Sequence, residues 1–432
     1  MNSLWTEITQ KPNFNSLDGN IKTNVLIVGG GLTGILCAYM LHDAGIDYTL
    51  IEANEICSGI TKNTTAKITV QHGLIYNKII GKYGIKAAKL YYKANSEAIS
   101  HYKNLCKMFD CRFETQDAVV YSTTDKTKIS EEHKAYRELG IPSEFVTQIP
   151  LPLSIIGAVK IYNQGQINPL EFLYNFSQKL NIKENTRLVE ITPDCVKTDR
   201  GNICYKKAII ATHFPIINKH GSYFMKMYQH RSYVLALENA QNVSGMYIDE
   251  NEKGLSFRNF DKYLLLGGGS HRTGKKGGCW HELECFAQKH YPKSRIAYRW
   301  ATQDCITLDS MPYIGKYSRN TPNLFVATGY NKWGFTSSMV AAEMLCDLVQ
   351  EKKNEYTELF SPSRSVIHPK LAGNAAEAVF NLLTPTVPRC PHMGCALKYN
   401  KYEHTWDCPC HGSRFTSDGK LADNPATQNL KR

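Results

Sequence analysis

Four residues near the end of the chain have the types and the spacing to hold metal. The sequence reads CPHMGC from Cys390 and CPCHGS from Cys408, so Cys390-x-His392 and Cys408-x-x-His411 each supply one thiolate and one imidazole. This mixed pairing suits a [2Fe–2S] cluster in which two thiolates hold one iron and two imidazoles the other, a centre that moves electrons singly. A tetrahedral Cys2His2 zinc site would use the same four side chains. Zinc sites usually bring their thiolates as a close C-x-x-C-type pair, however. Zinc chemistry also has no use for the second cysteine pair, Cys395 and Cys410, inside the same two loops, or for the HGS that follows.

A second constellation stands at the other end. Asn24-Val-Leu-Ile-Val28 is a buried-strand run, and Gly29-Gly-Gly31-Leu-Thr-Gly34 follows at once. Ile35 to Ala44 reads as a helix closed by Gly45, and Tyr48-Thr-Leu-Ile51 as a second strand ending at Glu52. Strand, G-x-G-x-x-G, helix, strand and acid together form the dinucleotide-binding fingerprint in the context it requires. Gly29 permits the tight turn, Gly31 lets the backbone approach a pyrophosphate, and Gly34 lets helix and strand pack closely. The helix N-terminus faces the phosphates, and Glu52 can accept from a ribose hydroxyl. The fingerprint alone does not separate FAD from NAD.

Three further segments bear on that choice. Ser58 to Gly73 is polar and rich in hydroxyls, with Thr61, Thr64, Thr65, Lys67 and His72; Lys206-Lys-Ala-Ile-Ile-Ala211-Thr212 is a strand ending in Ala-Thr; Phe325 to Ser337 holds Gly329, Gly334, Phe335 and Thr336 before a helix expected over 337–350. With the glycine loop, these motifs resemble the D-amino-acid oxidase, glycine oxidase and sarcosine oxidase superfamily of flavoproteins across residues 22–350. The resemblance implies FAD, held non-covalently, beside Gly29, Gly31, Gly34, Glu52, Thr61, Thr64, Thr65, Ala211, Thr212, Gly329, Gly334, Phe335 and Thr336. It also implies a last helix whose N-terminal dipole stabilises the reduced flavin ring. TTAKIT–QHG and Gly268-Gly-Ser-His271-Arg272-Thr-Gly274 resemble the γ-glutamylputrescine-oxidase-like members, which are fused to a Rieske domain. The carboxyl-terminal loops themselves resemble Rieske proteins. That likeness assigns Cys390, His392, Cys408 and His411 as cluster ligands and pairs Cys395 with Cys410 in a disulfide tying the two loops together.

The reaction implied is oxidation of a C–N bond by hydride transfer to FAD, for which positioning matters more than a strong base. Lys67 and His72 are candidates for a place near the flavin. Arg258 could hold a substrate carboxylate, and His271 is a further candidate, with His230 and Arg231 behind them. Ordinary polar or surface roles are the alternatives for all of these. A one-electron relay points to a dehydrogenase passing electrons to an external acceptor. A flavin oxidase with a vestigial cluster, or a cluster-based redox sensor, are the other readings. No 2-His-1-carboxylate iron site can be placed, which argues against an oxygenase.

The elements that must position these residues follow from length and pattern. A chain of 432 residues exceeds one core, so two or three domains are expected. The fold class expected is a discontinuous Rossmann-type α/β FAD domain (residues 20–80, 160–215 and 305–350) with an interleaved antiparallel-sheet substrate domain (85–155 and 222–300). A polar linker (351–366) would then lead to a small all-β Rieske module (367–432). Asn168 and Pro169 mark a helix start. Helix-like residues 375–383 run almost directly into the first ligand loop, so the module is shortened and lacks the usual base strands. There is no apolar run of 18 and no basic-then-apolar leader, which with ten scattered cysteines suggests reduced thiols and a cytoplasmic protein. The net charge of +12 comes from dispersed Lys and Arg, which reads as a solvated surface or attraction of an acidic substrate or electron carrier, without a nucleic-acid motif.

Overall fold

In the computed structural model, which describes residues 2–109, 111–365, 369–385 and 388–431, the apolar run before the glycine loop forms strand Ile21–Val28. Its last four residues are all buried, as a strand inside a parallel sheet requires. It pairs in parallel with Tyr48–Ile51 on one side and Asn202–Ile210 on the other. The sheet continues through Leu324–Thr328 to Tyr313–Lys316 at one edge and to Ile182–Lys183 at the other. Helices Leu32–Asp43 and Gly334–Val349 pack on each other and share an apolar cluster with Val25 and Ile27 of the central strand. Both helices begin about three residues earlier than the periodicity predicts, because the glycines open the first turn instead of preceding it.

A second sheet, nine-stranded among the described residues, runs in the order Arg295–Thr307, Met227–Glu238, Tyr263–Arg272, Ser256–Phe260, Met246–Asp249, Glu114–Ser122, Gly157–Gln166 and Lys67–Ile68, with Glu144–Val146 on a side path. It is antiparallel except where Met246–Asp249 meets Glu114–Ser122. Strand Gly157–Gln166 belongs to this sheet, so the chain crosses to the first sheet just after Gln166 and not at residue 160. At that crossing Asn168 caps helix Pro169–Ser177, accepting from the N–H groups of Leu170 and Glu171.

The carboxyl end forms a third, four-stranded sheet from Lys398–Asn400, Thr405–Asp407, Arg414–Thr416 and Leu421–Asp423. Its own core is small: Cys390, Cys395, Leu397, Cys408, Cys410, Phe415 and Ala426. So few side chains cannot sustain an independent domain, and the module leans on the second sheet. Arg231 forms a salt bridge with Glu403; Gln303 Nε2 donates to the Gly412 carbonyl at 2.9 Å; Arg272 donates to the carbonyls of Pro409 and Cys410 at 3.1 and 3.2 Å. These contacts with the rest of the chain seat the module.

Two sequence expectations need correction. The stretch 351–365 is not a free tether. Tyr356 and Phe360 are buried, and Arg364 clamps Asp309 through Nε (2.6 Å) and Nη2 (2.9 Å) while donating to backbone carbonyls; residues 366–368 lie outside the described residues. The ten scattered cysteines are also not all free thiols. Cys195 and Cys204 stand opposite one another on adjacent antiparallel strands and are joined as a disulfide. Cys106 and Cys111 are buried free thiols. Among the described residues, no helix is long and apolar enough to cross a membrane.

Candidate active site and cluster site

The glycine loop opens into a cavity of about 600 Å³. Gly29 has φ +111°, and a Cβ there would stand 2.5 Å from the Ala211 carbonyl oxygen; a Cβ on Gly34 would stand 1.9 Å from that of Gly29. Both positions are closed to any larger residue by the backbone itself. Gly31 is different: it faces the cavity, and a Cβ there would meet only Thr61 Oγ1, at 3.3 Å. The N-terminus of helix Leu32–Asp43, where Leu32 N–H donates to Thr61 Oγ1 at 3.0 Å, and the open backbone at Gly31 make a phosphate cradle. Glu52 lies on the same wall, its carboxylate accepting from Gly30 N–H at 2.7 Å and Asn54 N–H at 2.9 Å, and burial raises its pKa. Of the expected cofactor residues, Gly29, Gly31, Glu52, Thr61, Thr64, Thr65, Ala211, Thr212, Gly334 and Phe335 line the cavity. Gly34, Gly329 and Thr336 do not line it. This cradle fits the pyrophosphate and ribose of FAD.

The four candidate catalytic residues divide into two pairs. Lys67 and His72 line the cavity. Burial, aided by the nearby Arg258 charge, lowers Lys67 to about 7; its Nζ donates to Thr65 Oγ1 at 3.2 Å. Burial lowers His72 to about 3, and its ring is fully engaged. Nδ1 lies 2.5 Å from the Tyr91 hydroxyl, Nε2 lies 2.9 Å from Thr336 Oγ1, and the ring stacks on Trp333 at 4.9 Å. His72 therefore fixes the start of the last helix rather than presenting a free nitrogen. Arg258 and His271 stand off the cavity. Arg258 is fully buried, donates to the Ala66 carbonyl at 2.8 Å, and packs against the rings of Trp5 and Phe260. His271 Nε2 meets the Tyr233 hydroxyl at 3.0 Å, and that hydroxyl donates to Glu403 at 3.0 Å, so His271 serves the seat of the carboxyl-terminal module.

Two cavity residues escaped the sequence reading. Asp304 has its pKa raised to about 6 by burial, and Lys332 has its pKa lowered by burial. Lys332 and Asn331 both have positive φ, +75° and +53°. Consecutive non-glycine residues there mark a backbone held under strain at a site. The Tyr-Asn-Lys-Trp run was visible in the sequence, but nothing in it announced the strain.

The cluster residues converge. Cys390 and Cys408 are buried with their thiols in hydrogen-bonding contact. The rings of His392 and His411 lie 4.9 Å apart at 84°. In both rings Nδ1 is buried without a hydrogen-bond partner. Burial lowers their pKa values to about 3 and 4, so both imidazoles are neutral, as metal ligation demands. Two buried thiols in contact, beside two neighbouring imidazoles whose Nδ1 atoms have no partner, fit the Rieske ligand set. The two loops repeat each other's backbone bonding, with Gly394 N–H donating to Cys390 and Gly412 N–H to Cys408. Cys395 and Cys410 are free thiols here, with sulfurs within 4.8 Å of each other and of Cys408.

Comparison with known proteins agrees with both sites. Residues 24–348, three quarters of the chain, match the family model "FAD dependent oxidoreductase", and residues 383–432 match "Rieske [2Fe-2S] domain". The chain is a member of the FAD-dependent oxidoreductase family. It carries a Rieske domain, and its cofactors are FAD and a [2Fe–2S] cluster. This oxidoreductase is 35% identical over 493 aligned positions to the "Putative Rieske 2Fe-2S iron-sulfur protein YhfW" of Bacillus subtilis (strain 168), covering 100% of this chain and 97% of the relative. It is 22% identical to the "Gamma-glutamylputrescine oxidoreductase" of Escherichia coli (strain K12), covering 78% and 86%. Its fold is that of glycine oxidase from Geobacillus kaustophilus, with a TM-score of 0.69, 18% identity, and 80% and 99% of the chains covered.

One feature of the oxidoreductase joins its two sites. Leu421 to Asn424, Ala426 and Thr427 of the Rieske module line the same cavity as the glycine loop. Asn424 Nδ2 donates to the carbonyls of Thr212 and, at 3.1 Å, Phe214. The Asn424 carbonyl accepts from Gln229 Nε2 at 2.9 Å, and the same Nε2 donates to the His411 carbonyl at 2.8 Å. Residues about 200 positions apart in sequence thus connect the cavity wall to a cluster ligand, and no local motif could have revealed them.

Proposed function

We propose that the protein is a cytoplasmic dehydrogenase that oxidises a C–N bond of a small amine or amino acid in the cavity, and that electrons leave one at a time through the Rieske module to an external acceptor. The observation that carries this reading is the Thr212–Asn424–Gln229–His411 chain, with the module's own residues forming a wall of the cavity. FAD would accept hydride from the carbon bearing nitrogen, and the cluster would carry single electrons. Hydride leaves an amine only in its neutral form, and Lys67, uncharged above about pH 7, can take the ammonium proton. Asp304 and Lys332 present opposite charges to the same space, a pairing suited to an ammonium and a carboxylate. The relatives' titles, a γ-glutamylputrescine oxidoreductase and a glycine oxidase, support a nitrogen-bearing substrate.

The test is anaerobic mixing of the holoenzyme with a panel of amines and α-amino acids. Flavin absorbance should bleach, followed by growth of the reduced-cluster paramagnetic signal. Asn424→Ala and Gln229→Leu should leave the bleaching intact and slow the second phase. Stoichiometric peroxide in air with an unreduced cluster would instead establish an oxidase.

A further inference from the structure

Three buried side chains that the proposed reaction does not use converge on the backbone just before Lys67. Trp5 Nε1 donates to the Thr64 carbonyl at 2.8 Å, Trp300 Nε1 to the Asn63 carbonyl at 2.9 Å, and Arg258 Nη1 to the Ala66 carbonyl at 2.8 Å. They come from the short helix Leu4–Ile8, strand Arg295–Thr307 and strand Ser256–Phe260. None of the three is more than 1% exposed. The segment they grip belongs to the cavity wall: Thr64, Thr65 and Lys67 line the cavity, whereas Trp5, Arg258 and Trp300 do not.

Two features of this grip cost free energy. Ala66 has φ +52°, left-handed backbone that a residue with a Cβ keeps only where its surroundings over-determine it. The bend falls between Thr65 and Lys67, so it sets the direction in which Lys67 leaves the backbone. Arg258, in turn, is a fully buried cation without a salt bridge among the described residues. Its Nε has no partner, and its Nη2 reaches the Ile167 carbonyl at 3.4 Å. Glu114, the acid whose charge bears on it, accepts instead from Gln166 Nε2 at 2.5 Å. A buried charge left unpaired is expensive. Its field falls on Lys67: burial first, and then the like charge of Arg258, disfavour the Lys67 ammonium. Among the described residues no other charged group bears on Lys67. Gln166, opposite it on the adjacent strand, is neutral, and Thr65 offers a hydroxyl.

We infer that Trp5, Arg258 and Trp300 are positioning residues for the reaction, a clamp that locks the backbone of residues 63–66 in its left-handed bend and so holds the Lys67 amine in place inside the cavity. The inference rests on the reading of Lys67 as the acceptor of the substrate's ammonium proton. In that step one N–H bond of the substrate ammonium breaks and one forms on the Lys67 amine, which becomes an ammonium; nothing is oxidised. Arg258 has a second effect, through its charge. By opposing the Lys67 ammonium it keeps the amine free to accept at neutral pH, where a proton acceptor works best. The tryptophans act through geometry alone, since an indole N–H carries no charge.

The test separates charge from geometry in the holoenzyme. Arg258→Gln removes the charge and keeps a donor for the Ala66 carbonyl; Trp5→Phe with Trp300→Phe removes both indole N–H groups and keeps the rings. Flavin absorbance and circular dichroism confirm that each variant is folded and loaded. Trace labelling with acetic anhydride across a pH series, read by mass spectrometry of the Lys67 peptide, gives the protonation midpoint of Lys67 without substrate or turnover. Anaerobic flavin bleaching by the best amine of the panel gives the rate and its pH profile. We expect Arg258→Gln to move the labelling midpoint and the rising limb of the rate profile up together, by roughly one pH unit. The tryptophan pair should slow bleaching at saturating substrate roughly tenfold or more, with KM and the position of the limb little changed. A labelling midpoint left in place by Arg258→Gln, or bleaching left unchanged by the tryptophan pair, overturns the inference. Should Arg258→Gln yield no flavin-loaded protein, the tryptophan pair alone decides. A midpoint that moves with Arg258→Gln while the rate profile stays fixed, with Lys67→Met bleaching as fast as the parent, leaves the influence of Arg258 on Lys67 standing and defeats the reading of Lys67 as proton acceptor.

Discussion

Arg231 and Glu403 offer a measurable test of how the Rieske module is held. Their side chains are 6% and 9% exposed and form a buried ion pair between the second sheet and the module. Burial pushes the Glu403 carboxyl up, but Arg231 and then Arg414 outweigh it and hold it at about 2, against 4.5 for a free glutamate. That displacement corresponds to about 3 kcal/mol. Removing one partner of a buried pair typically costs about 3–5 kcal/mol, because the other charge is stranded, whereas replacing both with apolar groups is close to neutral. Glu403→Leu strands Arg231; Arg414 keeps Asp407 and Asp423. Arg231→Leu is milder, since Glu403 retains Arg414 and Tyr233. The double variant should therefore recover about 2–3 kcal/mol of the loss in Glu403→Leu. The sign with pH is fixed by the lowered pKa: the pair's contribution is fully present above about 4.5 and disappears as pH falls toward 2. Urea titrations followed by cluster absorbance at pH 7 and pH 3 give the numbers. If the double variant is no more stable than Glu403→Leu at pH 7, the two side chains are not coupled and the docking argument fails.

Four other outcomes follow from the geometry. Gly31→Val should yield folded protein without flavin, because its side chain would enter the cavity and not the protein; Gly34→Ala should fail to fold, and flavin absorbance together with circular dichroism separates the two. Cys390→Ser should abolish the Rieske paramagnetic signal yet leave flavin bound, and tightly held zinc in place of iron after anaerobic preparation would refute the ligand assignment. Ser413 is buried with its hydroxyl at the Cys390 sulfur, so Ser413→Ala should lower the cluster midpoint potential in voltammetry, while Phe415→Tyr, in the module core, should raise it. Finally, kcat/KM should rise with pH through about 7 as Lys67 loses its proton, and Lys67→Met should remove that limb of the profile.

Both ends of the chemistry were legible in the sequence because each is local. The G-x-G-x-x-G loop at Gly29 and the ligand loops at Cys390 and Cys408 are built from neighbours in the chain, so residue type and spacing define them before any folding is considered. Gly29 and Gly34 show why: the clashes that exclude a side chain come from the turn itself and the strand beside it. What brings the two ends together is not local. Arg258 and His271 looked like binding residues because Arg and His are polar, yet one is buried under Trp5 and the other under Tyr233. Asp304 and Lys332 carry no motif and still face the cavity. Asn424 and Gln229 matter only because a module too small to stand alone must bury its underside against the second sheet. The sequence thus determined which cofactors the chain can hold. Tertiary packing alone decided that the cluster module closes the flavin cavity, because that contact depends on surfaces from segments some 200 residues apart, complementary only once both are folded.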